Sequence, residues 1–210
     1  LICSILIQIG TNFANDLFDW EKGADVEERL GPTRVTSAGL LSPQEVRNGM
    51  VLMFALAAIF GLYLIYVGGW PILAIGVASI LSGIAYTGGP FPLGYNGLGD
   101  LFVFIFFGLI SVIGCYVLFA KQLEHVTFLP AFTIGLLSTA VLNLNNMRDR
   151  LTDQKANKIT LAVKLGEKRV KLYHNLLVSG AIILSGLFGV LYFTSPYNLI
   201  YMITYLPLFL

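Results

Sequence analysis

Charge is what this sequence most lacks. Its 210 residues include 13 Lys or Arg and 12 Asp or Glu, 12% of the chain, about half the share in an ordinary soluble domain. A soluble protein of this length has a polar shell to fill, and this chain cannot fill it. Cysteine is scarce as well. Cys3 and Cys115 lie in apolar runs, so a disulfide-stapled module and a cysteine metal site are excluded. A net charge of +1 provides no electrostatic footprint for nucleic acid, and none is expected as a partner. In place of charge there is apolar surface: 56% hydrophobic residues and a mean hydropathy of +0.78. That excludes disorder and leaves a polytopic helical protein of the lipid bilayer.

Uncharged runs locate the spans. They cover 1–15, 48–99, 101–120, 126–147 and 172–210. A helix needs about 20 residues to cross the hydrocarbon core, so the run 48–99 holds more than one crossing. Gly68-Gly69-Trp70-Pro71 and the Gly/Pro-rich stretch 88–94 divide it, because Gly and Pro end helices. Complete spans are predicted at 46–67, 71–87, 100–120, 127–146 and 173–194. Residues 1–13 read as the end of a further span rather than a signal peptide, having no basic n-region or small-residue cleavage site. Residues 199–210 read as the start of another. The expected fold is an all-α transmembrane bundle of five complete and two partial spans. With Leu1 in place of Met, 1–210 is expected to be one transmembrane domain, incomplete at both ends. Ser42-Pro43-Gln44-Glu45 predicts a capping box with Pro in the first turn of the helix that follows.

Parity places the loops 14–45, 88–99 and 147–172 on one face. That face, with Arg47, holds every Lys and Arg except Lys121. Basic residues mark the cytoplasmic side, so these loops are expected to be cytoplasmic, in a bacterial inner membrane.

Two of these loops open on matched acidic motifs. Asn12 is followed by Asp16 and Asp19; Asn145 is followed by Asp149 and Asp153. Residues three or four apart share a helix face, so each set projects an amide and two carboxylates from the end of a span. Four spans lie between the motifs, which points to a duplicated four-helix unit. Clustered carboxylates repel unless a cation lies between them, and paired hard oxygens suit Mg²⁺, which binds through one or two carboxylates plus substrate phosphates. A membrane bundle would be needed for a lipid diphosphate, with its head at the mouth and its tail among the helices. Lys22, Arg29, Arg34, Arg148, Arg150, Lys155, Lys158 and Lys164 lie near enough in sequence to complete the clamp.

These residues resemble a known family. The segments NFANDLFDWEKGADVEERLGPTR (12–34) and NLNNMRDRLTDQKANKITLAVKLG (143–166) are similar to the two aspartate-rich motifs of UbiA-type intramembrane prenyltransferases, and AYTGGPFPLGYNGLGD (85–100) to their connecting loop. Lys22, Gly23, Asp25, Gly31, Pro32, Arg34 and the doubled Asn145-Asn146 resemble most closely the branch that prenylates 1,4-dihydroxy-2-naphthoate. The resemblance implies a nine-helix bundle and transfer from a polyprenyl diphosphate to 1,4-dihydroxy-2-naphthoate. It implies Mg²⁺ held by Asp16, Asp19, Asp149 and Asp153, with Asn12 and Asn145 in support.

The chain also departs from the family. Many relatives carry Tyr-x-x-x-Lys after the fourth span; here Tyr86 is followed at that spacing by Pro90, and 88–99 has no Lys or Arg. Arg34 and Lys158 are therefore the expected basic partners of the diphosphate. Tyr86 reads either as an interface tyrosine or as a substrate contact. Asp100 reads either as a residue near the acceptor or as a helix-start acid. Tyr95 and Asn96 read as turn residues. An enzyme with another acceptor, 4-hydroxybenzoate or homogentisate, is the nearest alternative. A cation transporter is the alternative of a different class. Transporter ion sites usually lie near the bilayer midplane, whereas these acids sit at helix ends.

Overall fold

A computed structural model describes residues 1–24, 31–197, 200 and 201. Asp25, Glu27, Glu28 and Arg29 lie outside the described residues, as does nearly all of the partial span expected at 199–210. Helices and turns make up the described chain, without a strand.

Among the described residues, eight α-helices follow in order: α1 (Ile2–Glu21), α2 (Pro43–Gly68), α3 (Trp70–Ala85), α4 (Gly99–Val103), α5 (Ser111–Ala120), α6 (Phe128–Arg148), α7 (Arg150–Lys155) and α8 (Leu161–Tyr192). A π-helical segment, Phe104–Ile110, joins α4 to α5, so Gly99–Ala120 forms one rod. Among the described residues, four segments are long and apolar enough to cross a membrane: Pro43–Gly68, Gly99–Ala120, His125–Arg148 and Leu161–Tyr192. The span expected at 71–87 is an apolar helix of 16 residues, shorter than the others because Gly69 and the Gly/Pro-rich loop bound it closely.

Local chemistry accounts for the ends. Ser42 caps α2: its hydroxyl accepts from the Glu45 N–H while Glu45 reaches back to the Ser42 N–H. Thr160 caps α8 by accepting from Val163 N–H. Two helices run further than the uncharged runs predict. α1 continues through its acidic motif to Glu21. α8 starts at Leu161, twelve residues before the span expected at 173. Charge ends a membrane span but does not end a helix, since Lys, Arg and Glu are good helix formers. A non-helical break at Gly166, where φ is 74°, separates the first turn of α8 from its long apolar rod.

α1 packs on α2 and α3, α6 packs on α8 and on the π-helical segment, and α5 bridges the two groups through α2, α3 and α6. Apolar side chains on the outer faces, among them Leu62, Tyr66, Trp70 and Phe119, are largely exposed, as expected of helices whose solvent is lipid. Small residues set the inner contacts, where backbones come close without a hydrophobic drive between helices. At Gly108 of the π-helical segment, an added Cβ would collide with the Gly135 Cα of α6, and one on Gly135 would lie 2.7 Å from the Phe104 ring. Thr139, one turn beyond Gly135, donates from its hydroxyl to the Gly135 carbonyl at 2.8 Å, with the Asp100 carbonyl 3.4 Å away. Asn143 is fully buried and its amide donates to the Val170 carbonyl of α8 at 3.4 Å.

This close crossing is testable in the full-length protein. Gly108→Val should destabilise it by about 2 kcal/mol through overpacking, lowering the melting temperature of the detergent-solubilised protein. Gly186→Ala, where an added Cβ meets nothing within 4 Å, should leave it unchanged or higher. Equal melting temperatures for the two variants would contradict the crossing.

Candidate active site

The last two turns of α1 bury both aspartates of the first motif; Asp16 is 6% exposed and Asp19 is 2% exposed. Asp16 accepts from the backbone N–H groups of Val35 (3.0 Å) and Thr36 (3.1 Å). Its carboxylate thereby ties the end of the loop back onto the helix that starts it. Asp19 faces charge. Its Oδ2 accepts from Arg34 at 3.2 Å and lies 3.8 Å from the Lys158 ammonium. Its Oδ1 accepts from the Tyr95 hydroxyl at 2.8 Å.

The second motif begins on α6 and continues through α7. Asp149 is clamped by the preceding Arg148, whose Nε and Nη2 donate to its two oxygens at 2.7 Å each. Asp153 lies 4.0 Å from Lys158. One ammonium therefore stands between Asp19 and Asp153, and it joins motifs from opposite halves of the chain. Arg34 and Lys158, expected as basic partners of a diphosphate, both meet the same oxygen of Asp19.

The connecting loop completes the cluster. Thr87 donates its hydroxyl to Asn15 Oδ1 at 3.0 Å, and its carbonyl accepts from the Lys22 ammonium. Lys22 and Lys158 both lie over the Tyr95 ring, 4.8 and 5.3 Å from its centre. Burial, the largest influence on Lys22, lowers its pKa from the ordinary lysine value, and the ammonium of Lys158 acts in the same direction; Asp19 and Glu21 oppose them. The Ile159 N–H donates to the Tyr95 carbonyl at 3.0 Å, and the Lys164 ammonium to the Asn96 carbonyl at 2.6 Å. All three loops of the expected cytoplasmic face thus meet at one place.

The remaining expected residues are distributed as follows. Asn12 and Asn145 are exposed. Tyr86 packs against glycines of the connecting stretch: a Cβ on Gly94 would lie 2.9 Å from its ring, and one on Gly99 2.7 Å from its hydroxyl. Asp100 is buried and accepts from the Tyr173 hydroxyl of α8 at 3.3 Å. Asn96 is a turn residue, its amide donating to the Pro92 carbonyl. Tyr95 belongs to the same turn, Gly94–Asn96, yet reaches the acidic motifs. A single tyrosine in a Gly-rich stretch carries no such signal. Thr87 was equally inconspicuous in the sequence, whereas Lys22 stood among the expected bases of the clamp.

Among the described residues, no three carboxylate, imidazole or thiol groups cluster as a metal site. The donor chemistry still fits a hard divalent cation in the manner of Mg²⁺, which needs only one or two carboxylates besides phosphate and water. Asp19 and Asp153 converge on one cationic group. The pairing runs between the motifs rather than within each of them.

Asp16 has a structural duty that can be separated from this cluster. Asp16→Ala removes the acceptor of two amides, at a cost of about 1–3 kcal/mol per unsatisfied group. Hydrogen exchange at Val35 and Thr36 should accelerate, and less so in Asp16→Asn, which keeps one acceptor oxygen. Unchanged exchange in Asp16→Ala would contradict the tie.

The UbiA prenyltransferase family profile matches residues 1–210. Over 187 residues the chain is 42% identical to 1,4-dihydroxy-2-naphthoate octaprenyltransferase of Haemophilus influenzae, covering 86% of this chain and 61% of that protein. It is 40% identical over 195 residues to the protein of that name from Escherichia coli, covering 90% and 63%. It is 39% identical over 184 residues to the one from Mycobacterium tuberculosis, covering 87% and 63%. The chain thus spans a little over three fifths of the length of these curated relatives. No solved structure matches it. A match over the whole chain, with both aspartate-rich motifs at helix ends and brought to one ammonium, leads to one conclusion: the chain belongs to the UbiA prenyltransferase family.

Proposed function

We propose that the protein containing this chain transfers a polyprenyl group from a polyprenyl diphosphate to 1,4-dihydroxy-2-naphthoate, with loss of CO₂, to give a demethylmenaquinol. The observation that carries this reading is the meeting of Asp19, Asp153, Arg34 and Lys158 where the α1, connecting and α6–α8 loops converge. The identity of about 40% to three proteins named for this reaction supports the choice of acceptor.

Each group has a task that its surroundings suit. Arg34, Lys158 and Lys22 supply positive charge for the diphosphate, and an arginine can grip its oxygens in bidentate fashion. Asp19 and Asp153 are the residues that would hold a divalent cation, Mg²⁺ in this proposal, with Asp16 and Asp149 beside them. When bound, that cation offsets the negative charge that develops on the departing diphosphate. The allylic C–O bond breaks, and its electron pair leaves with the diphosphate. The ring carbon bearing the carboxylate forms the new C–C bond. The carboxylate then departs as CO₂ and returns its bonding pair to the ring, so no proton has to be removed from that carbon. Apolar helices around the prenyl tail exclude water, which would otherwise capture the cationic carbon. Asp100, buried beside Tyr173, and Tyr86 are the residues proposed to lie nearest the acceptor. In this reading the three loops face the cytoplasm from a bacterial inner membrane.

The test uses membranes containing the full-length protein, supplied with a polyprenyl diphosphate, 1,4-dihydroxy-2-naphthoate and Mg²⁺. Chelation of divalent ions should abolish product. Asp19→Ala and Asp153→Ala should each lower kcat by about 10²–10³, the usual loss when one group stabilising transition-state charge is removed. Competing 4-hydroxybenzoate or homogentisate should not be prenylated. Product formation that survives both substitutions would overturn the mechanism, and preference for another acceptor would overturn the substrate assignment.

A further inference from the structure

We infer that Tyr95 is a positioning residue of this site, holding Asp19 and two lysines in the arrangement that receives a divalent cation and a diphosphate. The inference rests on the prenyl-transfer reading and adds a residue to it.

Four contacts carry it. The Tyr95 hydroxyl donates to Asp19 Oδ1 at 2.8 Å. The other oxygen of the same carboxylate, Oδ2, is the one that meets Arg34 and Lys158. A carboxylate anchored at one oxygen cannot rotate freely, so the phenol determines which oxygen is presented to cations. The Tyr95 ring lies under two ammoniums, Lys22 at 4.8 Å and Lys158 at 5.3 Å. These like charges disfavour each other, and an aromatic ring near both offsets part of that cost by cation–π attraction. The Tyr95 carbonyl accepts from Ile159 N–H, next to Lys158. The residue thus spans α1, the connecting loop and the segment before α8.

Tyrosine suits this place and phenylalanine does not. The ring serves the lysines; the hydroxyl serves Asp19. Groups that orient a metal-binding carboxylate typically change metal affinity 10- to 100-fold when removed. The turn itself does not need the hydroxyl, because Gly97 at φ 76° makes the left-handed step and Asn96 closes onto Pro92.

The experiment uses the full-length protein with Tyr95→Phe and Tyr95→Leu. Two readouts are taken: Mn²⁺ binding in the presence of inorganic diphosphate, followed by electron paramagnetic resonance, and the Mg²⁺ dependence of prenyl transfer. Tyr95→Phe should weaken Mn²⁺ binding about tenfold. It should raise the Mg²⁺ concentration for half-maximal rate by a similar factor, while kcat at saturating Mg²⁺ stays within about threefold. Tyr95→Leu, which also removes the ring, should raise the KM for the prenyl diphosphate by about a further tenfold. Wild-type Mn²⁺ affinity and Mg²⁺ dependence in Tyr95→Phe would overturn the inference. So would a kcat loss equal at every Mg²⁺ concentration with unchanged Mn²⁺ affinity, the signature of a merely structural residue. A wild-type protein that binds Mn²⁺ with diphosphate but forms no prenylated product would refute the prenyl-transfer reading alone, because the Mn²⁺ titration still judges Tyr95.

Discussion

A carboxylate buried as deeply as Asp19, 2% exposed, has to be neutralised. Taking such a charge out of water costs several kcal/mol, and the cost is recovered only when partners with good geometry surround it. Lys22, at the end of α1, acts on Asp19 through space, but its ammonium donates to the Thr87 carbonyl instead. Asp19 therefore draws its partners from elsewhere: Arg34 from the loop behind α1, Tyr95 from the connecting loop and Lys158 from the segment before α8. Each is fixed in turn by its own neighbours. Tyr95 accepts from Ile159 through its carbonyl, and the backbone after Arg34 is held by Asp16. The convergence of three loops follows from the need to balance one buried charge.

The bundle makes that convergence possible. α1 belongs to one group of helices, with α2 and α3, whereas the second motif grows from α6 in the other group, with α8. The groups can bring their motif ends together only if the second is compact. Small residues allow it: Gly108 and Gly135 put the π-helical segment against α6, and Asn143 fastens α6 to α8 through a backbone carbonyl. The extra residue per turn of a π segment alters the facing of the side chains that follow, and such segments occur often at functional sites. The break at Gly166 has a related consequence. It lets the chain leave Lys158 and Thr160, form one capped turn, and then enter the long apolar rod of α8 in a new direction.

Much of this was legible in the sequence, and the unread parts share a cause. Uncharged runs marked the spans because lipid tolerates few charges, and the capping box at Ser42–Glu45 formed as its spacing required. α1 and α8 run beyond the expected spans because a hydropathy boundary is a property of the solvent, whereas a helix boundary is a property of the backbone. Glu21 lies beyond the first boundary and the stretch Lys168–Lys171 before the second, yet both are helical. The candidate site divides in the same way. Both aspartate motifs could be read, since two or three residues at helical spacing carry the signal. The pairing of Asp19 with Asp153, and the part played by Tyr95, depend on how distant loops fold onto each other, and no local spacing encodes that.

The charge balance of the cluster bears on what it can accept. Asp19 meets Arg34 and Lys158, Asp153 shares Lys158, and Asp149 is paired with Arg148, so the acids that face the cluster are already ion-paired. A bare diphosphate entering such a site would find the cations already engaged, and a bare divalent ion would find the carboxylates engaged. A divalent cation arriving with a diphosphate can exchange partners with the pairs already there: carboxylate to metal, ammonium and guanidinium to phosphate. Each internal ion pair broken is replaced by a new one, so little uncompensated charge is created in a partly dry place. On the proposed reading, the internally paired cluster favours the metal–diphosphate complex over either component. On the same reading, the internal salt bridges that hold the loops together would also supply that selectivity.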